Sequence, residues 1–138
     1  MRHTQQARRL IERLLEDAGQ RPGPVQQTVR RFVTSMVELH EQDPALHRML
    51  FEQAPHPAAL LDALGQIEDA TVEAIEALLR AHPDVKVKHP DVAAYLLVQS
   101  IEALSHRFVL HPPRSLKTRA CFVEEVVAML SAYLVSRR

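Results

Sequence analysis

The sequence has no Trp, one Cys, three Gly and only six aromatic residues. A single Cys cannot close an internal disulfide, so no covalent staple holds this fold. Three Gly are too few for a glycine-rich phosphate cradle, and Gly-x-Gly-x-x-Gly, Gly-x-x-x-x-Gly-Lys and Gly-x-Ser-x-Gly are all missing. No apolar run approaches the ~18 to 20 residues of a membrane span. The opening Met1-Arg2-His3-Thr4-Gln5-Gln6 lacks the apolar segment of an export signal. A soluble, cytoplasmic chain without a membrane partner is expected. Net charge is missing too, since 17 Lys and Arg balance 17 Asp and Glu.

What is present suits one compact helical domain. At 138 residues and 46% apolar composition, the chain is long enough to bury a sizeable core. The charge balance hides an uneven distribution. Residues 1–31 carry seven Arg against three acids, residues 32–79 carry Arg48 against nine acids, and residues 80–138 carry nine basic residues against five acidic. Basic ends around an acidic middle are expected to be solvated helix faces of complementary charge. A balanced chain does not offer the dense basic face that nucleic-acid binding needs.

Apolar residues recur at helical spacing almost throughout, and no segment sustains strand alternation. The first helix is expected from about Thr4, a candidate cap, to Gly19, a candidate stop. The second starts near Val25 and repeats Val29, Phe32, Val33, Met36, Val37 and His40 up to Asp43-Pro44. Asp43 is placed to cap a short helix, Ala45 to Phe51, with Pro44 in its first turn. A long helix spans about 58–81 with Leu60, Leu61, Leu64, Ile67, Thr71, Ala74, Ile75 and Leu78 on its stripe. Pro90 opens another that runs to Leu110, and Ser115 is a candidate cap for the last, whose stripe is Phe122, Val123, Val126, Val127, Leu130, Tyr133 and Leu134. Residues 1–19 are read as a linker-type helix and 20–138 as the body of the domain.

The last two helices carry more apolar residues than one core requires. Burial of the surplus against a second copy predicts a homodimer, with Leu97, Ile101, Leu104, Phe108, Phe122, Val126, Val127, Leu130 and Tyr133 at a four-helix interface. The competing arrangement makes Pro90–Leu110 the central helix of a monomer, since a helix that is apolar all round must be buried somewhere.

Eight His invite a metal reading, but the spacings oppose it. There is no His-Glu-x-x-His, no paired Glu-x-x-His and no Cys-x-x-Cys, and Pro44 separates His40 from His47. No metal, no cofactor and no catalytic group is expected, and the chain does not read as an enzyme. Cys121 is expected to be a covered structural residue. One polar series stands out: Tyr95, Gln99, Glu102 and His106 follow at i, i+3/4, close enough for Glu102 and His106 to pair. Turned inward, they would give an apolar cavity the convergent polar groups that bind a small organic molecule; turned outward, they would be an ordinary wet face or a rim of the dimer. Phe32, Met36, His40, Met49, Leu64 and Thr71 are candidates for the same wall. The acidic centre favours a cationic or amphipathic effector.

The run from Phe32 to Leu50, with Glu38-Leu39-His40-Glu41-Gln42-Asp43-Pro44 at its centre, resembles the helix, Asp-Pro, short-helix segment of the C-terminal domain of tetracycline-repressor-like (TetR-family) transcription regulators. Ala94 to Leu110 followed by His111-Pro112-Pro113 looks like the penultimate helix of that domain, and Phe122 to Leu134 like its last. The resemblance covers about residues 25–135. It implies an all-helical effector-binding and dimerisation domain whose last two helices form the dimer bundle. DNA is then a partner only through an N-terminal helix-turn-helix, which these residues do not include. Arg2, Arg8 and Arg9 in the first turns of helix one, where the helix dipole disfavours cations, fit a helix continued from an upstream domain. The rival reading is a stand-alone interaction protein that uses the same helices to pair with a full-length regulator.

Overall fold

The computed structural model describes residues 2–20, 23–53, 55–115 and 118–136. Six helices follow in order: α1 (Arg2–Gln20), α2 (Val25–Gln42), α3 (Pro44–Glu52), α4 (Ala58–Ala81), α5 (Pro90–Leu110) and α6 (Arg119–Val135). There is no strand among the described residues. The fold is all-helical, as the apolar spacing requires.

Local chemistry sets most of the boundaries. The Asp43 side chain accepts a hydrogen bond from Leu46 N at 3.0 Å, and Pro44 occupies the first turn of α3, where its missing N–H costs nothing. Pro90 opens α5 in the same way. At α6 the expectation needs correction. Thr118, not Ser115, is the cap: its backbone is extended and its hydroxyl accepts from Cys121 N at 3.1 Å. The α1 helix starts at Arg2 and passes through Gly19 to Gln20. The expected Thr4 cap falls outside the described side chains.

The Pro24 cap position gives α2 no side-chain partner, and a distant loop supplies one. Asp84 Oδ2 accepts from Val25 N at 3.4 Å, which also places a carboxylate at the positive end of the helix. His82 Nε2–H donates to Gly23 O at 2.9 Å and fixes the same loop.

A stripe of valines, Val25, Val29, Val33 and Val37, carries α2 through the core. It meets Ala93, Ala94, Leu97 and Ile101 of α5 and Phe122, Val123, Val126, Val127, Leu130 and Leu134 of α6. Ala93 and Ala94 are fully buried, and their small side chains let backbones approach closely. The α4 helix covers another side of α5 and is itself flanked by α1. Lys86 N donates to Leu134 O at 2.8 Å and ties the α4–α5 loop to the end of α6. Charge complementarity also joins helices. Arg30 of α2 holds Glu124 of α6 through both oxygens, and Arg119 of α6 reaches Glu38 and Glu41 of α2.

Thus α5 is the central helix of the subunit, packed against α2, α3, α4 and α6. Much of the expected interface is covered within the chain itself. Leu97, Ile101, Phe122, Val126, Val127 and Leu130 are covered by their own chain to 92% or more, so a partner has little of them left to bury. Leu104, Phe108 and Tyr133 are half-buried against the same core, with the Phe108 ring stacked on Phe122 at 4.2 Å. The large apolar side chains that remain open on these helices are Val92, Tyr95 and Leu96 on α5 and Met129 and Val135 on α6. Cys121 is exposed rather than covered. No described helix is long and apolar enough to cross a membrane.

Candidate functional site: a cavity with a histidine and glutamate floor

Between α1, α2, α3, α4 and α5 lies a cavity of about 410 Å³. Leu10, Ile11 and Leu14 of α1 form one wall, and Phe32 and Met36 of α2 another. Leu46, Leu50 and Phe51 of α3, Leu64, Ile67 and Ile75 of α4, and Val98 and Ile101 of α5 continue the apolar lining, with Leu39 of α2. The helical periodicity that builds the core builds this cavity too: the partly buried shoulder of each stripe faces it.

Polar groups reach the cavity from every helix around it, including Gln6 of α1 and Gln42 of α2, with Asp43 at the α2–α3 junction. From α5 come Gln99 and Glu102, from α4 Glu68 and Thr71, and from α3 His47. Gln99 Nε2 donates to Glu68 Oε1 at 2.6 Å. The Thr71 hydroxyl is taken up by its own helix, donating to Ile67 O at 2.7 Å. Glu102 is mostly covered, and burial, reinforced by the nearby Glu68 charge, pushes its carboxyl up to about 7. Behind it sits His40, fully buried, with Nε2 3.5 Å from Glu102 Oε1 and Nδ1–H donating to Met36 O at 2.9 Å. Burial lowers His40 from its ordinary value and holds His47 down to about 4, so both rings are neutral at pH 7. The two rings stack with centroids 4.0 Å apart.

Of the expected pocket residues, Phe32, Met36, Leu64, Thr71, Gln99 and Glu102 line the cavity, and His40 lies directly behind Glu102. Three do not join them. Tyr95 is 52% exposed and Met49 39% exposed, both off the lining. His106 does not pair with Glu102; its Nε2 bonds Glu52 Oε1 at 3.2 Å, and His111 bonds the same oxygen. The reason is position along α5: Glu102 lies level with Gln99 and Val98 at the cavity, whereas His106, one turn on, meets the end of α3.

Sequence reasoning missed His47 and the α1 wall. Pro44 suggested that His40 and His47 were held apart, but a proline at the first turn of α3 redirects the chain and brings α3 back against α2 and α5. The sequence signal for α1 was its amphipathic stripe, already visible as Leu10, Ile11 and Leu14, with nothing local to say what it covers.

The model of the tetracyclin repressor-like C-terminal domain matches residues 24–134, most of the chain, and the protein belongs to that family. In TetR-like regulators this is the ligand-binding and dimerisation class of domain. No curated protein and no solved structure matches the chain.

Proposed function

We propose that this domain senses a small organic effector in the cavity between α1 and α5 and acts as a homodimer within a TetR-like regulator. The observation that carries the reading is the cavity's composition. A pocket of about 410 Å³, lined by apolar side chains and marked by a few acidic and amide groups, is the usual recipe for an organic ligand. Glu68 and Glu102 make a cationic amphiphile the favoured class, because a positive headgroup would stabilise both carboxylates in their ionised form.

The position of α1 supports a sensor. A ligand that occupies the cavity touches Leu10, Ile11 and Leu14 and so acts directly on the N-terminal helix. Two states of α1, biased by occupancy, would carry the signal to whatever the helix is joined to. Regulation rather than catalysis is the corresponding role.

Dimerisation is proposed through the outer face of α6, around Met129 and Val135, continued by the half-buried Leu104, Phe108 and Tyr133. The alternative, a stand-alone interaction protein that pairs with a full-length regulator through the same face, is favoured only if the cavity proves inert.

A thermal-shift experiment on the full chain tests the effector. Sub-micellar dodecyltrimethylammonium, dodecyl maltoside and dodecanoate separate cationic, neutral and anionic classes. The cation is expected to raise the melting temperature, since ligand at ~100 times Kd stabilises by about 2.7 kcal/mol. Ile67→Trp, which fills the cavity, is expected to abolish the shift. No response to any of the three would overturn the reading.

A further inference from the structure

Among the described residues, four buried polar atoms have no hydrogen-bond partner: His40 Nε2, His47 Nδ1, His106 Nδ1 and Ser131 Oγ. Two of the four belong to the stacked pair, and both lie beside the Glu102 carboxylate. We propose that His40 Nε2, His47 Nδ1 and Glu102 form a binding site for one divalent transition-metal ion at the inner end of the cavity.

The geometry is close to what such an ion requires. One donor atom from each of the three residues lies within 4.8 Å of the other two. His40 Nε2 and Glu102 Oε1 are 3.5 Å apart, against about 3.3 Å for two ligands on one tetrahedral zinc. A direct O–H···N bond at 3.5 Å would be a poor one, so the pair does not satisfy itself. The hydrogen bond from His40 Nδ1–H to Met36 O fixes the tautomer that leaves the Nε2 lone pair free, which is the backing a ligating histidine needs. His47 Nδ1 is likewise buried without a hydrogen-bond partner. Both rings are neutral at pH 7, as metal ligation demands.

Two imidazoles and one carboxylate select a borderline ion such as Zn²⁺, Co²⁺ or Ni²⁺ over Mg²⁺ or Ca²⁺, which take sets of oxygen ligands. Three protein ligands leave at least one coordination position, and because His47 and Glu102 both line the cavity, that position opens into it. A donor atom on a cavity ligand, or water, would complete the shell. Buried imidazoles and a carboxylate of raised pKa, costly without a partner, would both be relieved by the ion.

The test needs no organic effector, so it stands or falls apart from the sensor reading. Metal-stripped full chain is titrated with Co²⁺ and followed by visible absorption. One equivalent is expected to produce the d–d bands of a four- or five-coordinate site, displaced by Zn²⁺ and untouched by Mg²⁺ or Ca²⁺. His47→Gln and Glu102→Gln are each expected to weaken binding about tenfold or more, with unchanged circular dichroism. His111→Gln, at the separate Glu52 cluster, is expected to leave it intact. Should His47→Gln fail to fold, Glu102→Gln decides the matter. Absence of the bands, full affinity in a folded His47→Gln or Glu102→Gln protein, or loss of binding in His111→Gln would overturn the proposal, the last by moving the ion to Glu52.

Discussion

The imidazoles of His40 and His47 stack with centroids 4.0 Å apart and planes 28° from parallel, although an Asp-Pro step divides them in sequence. Phe51 extends the stack, its centroid 6.1 Å from each ring, and approaches His106 at 4.8 Å. The short helix α3 therefore works as a bracket. It carries His47 and Phe51 back over α2 and closes one end of the cavity.

That bracket depends on its cap. Asp43→Ala removes the bond to Leu46 N and is expected to cost about 1 kcal/mol. Urea denaturation followed by circular dichroism should show a lower midpoint at unchanged slope. The thermal shift induced by any cavity ligand should shrink as well, because Leu46, His47 and Leu50 lose their fixed placement. A midpoint equal to that of the parent protein would contradict the structural role given to the cap.

The floor of the cavity predicts an unusual dependence on pH in protein kept metal-free by a chelator. Glu102 faces Glu68 and Gln99 and has His40 and His47 behind it. Its carboxyl titrates near 7 when folded and near 4.5 when unfolded, so the folded state retains a proton that the unfolded state releases. Stability from this group falls as pH rises through that window. His47 has the opposite sign. Its folded value of about 4 lies below 6.5, so the unfolded state takes up the proton first and stability rises with pH between those values. The two slopes oppose each other from about 4.5 to 6.5. In Glu102→Gln only the histidine slope survives, and at pH 8 the variant should be more stable than the parent by about 1 to 3 kcal/mol. Equal stability of the two proteins at pH 8 would show that Glu102 is not held at raised pKa.

Two substitutions on α6 separate the interface from the core. Met129 is 52% exposed on the outer face, and Met129→Glu is expected to weaken a homodimer at least about tenfold while leaving the subunit folded. Val127→Ala, on the inner face, should cost about 1 to 3 kcal/mol of stability without acting on association directly. Sedimentation equilibrium and thermal melting together distinguish the outcomes. A dimer unaffected by Met129→Glu would remove α6 from the interface.

The largest fully buried apolar side chain among the described residues offers a test of the fold itself. Leu134 is fully buried at the C-terminal end of α6, and its carbonyl accepts from Lys86 N. Leu134→Ala is expected to cost about 2 to 5 kcal/mol, through lost burial and the cavity left behind. The loop that carries Val85 and Val87 packs at the same end, so its amide protons should exchange faster in the variant.

The valine stripe of α2 was legible because one face of a helix repeats on a fixed period, and Asp43 and Pro44 because caps act within a few residues. Gln99 and Glu102 were legible as members of one polar series on the same argument, but spacing alone left open whether the series turns inward or outward. Tyr95 and His106 share their stripe on paper but not in space, because the stripe drifts around α5 and different neighbours meet it along its length. Leu97 and Ile101 looked like surplus apolar surface because nothing local distinguishes a partner subunit from α2 as the cover.

The amino-acid sequence alone determined that this chain is helical, where most helices start and stop, and which faces are apolar, since each depends on spacing and capping within a few residues. Only the tertiary structure decided which polar groups meet. His40, His47 and Glu102 come from three helices, and their convergence depends on the rotation and crossing of those helices. Packing of distant side chains sets both, and no local pattern records them.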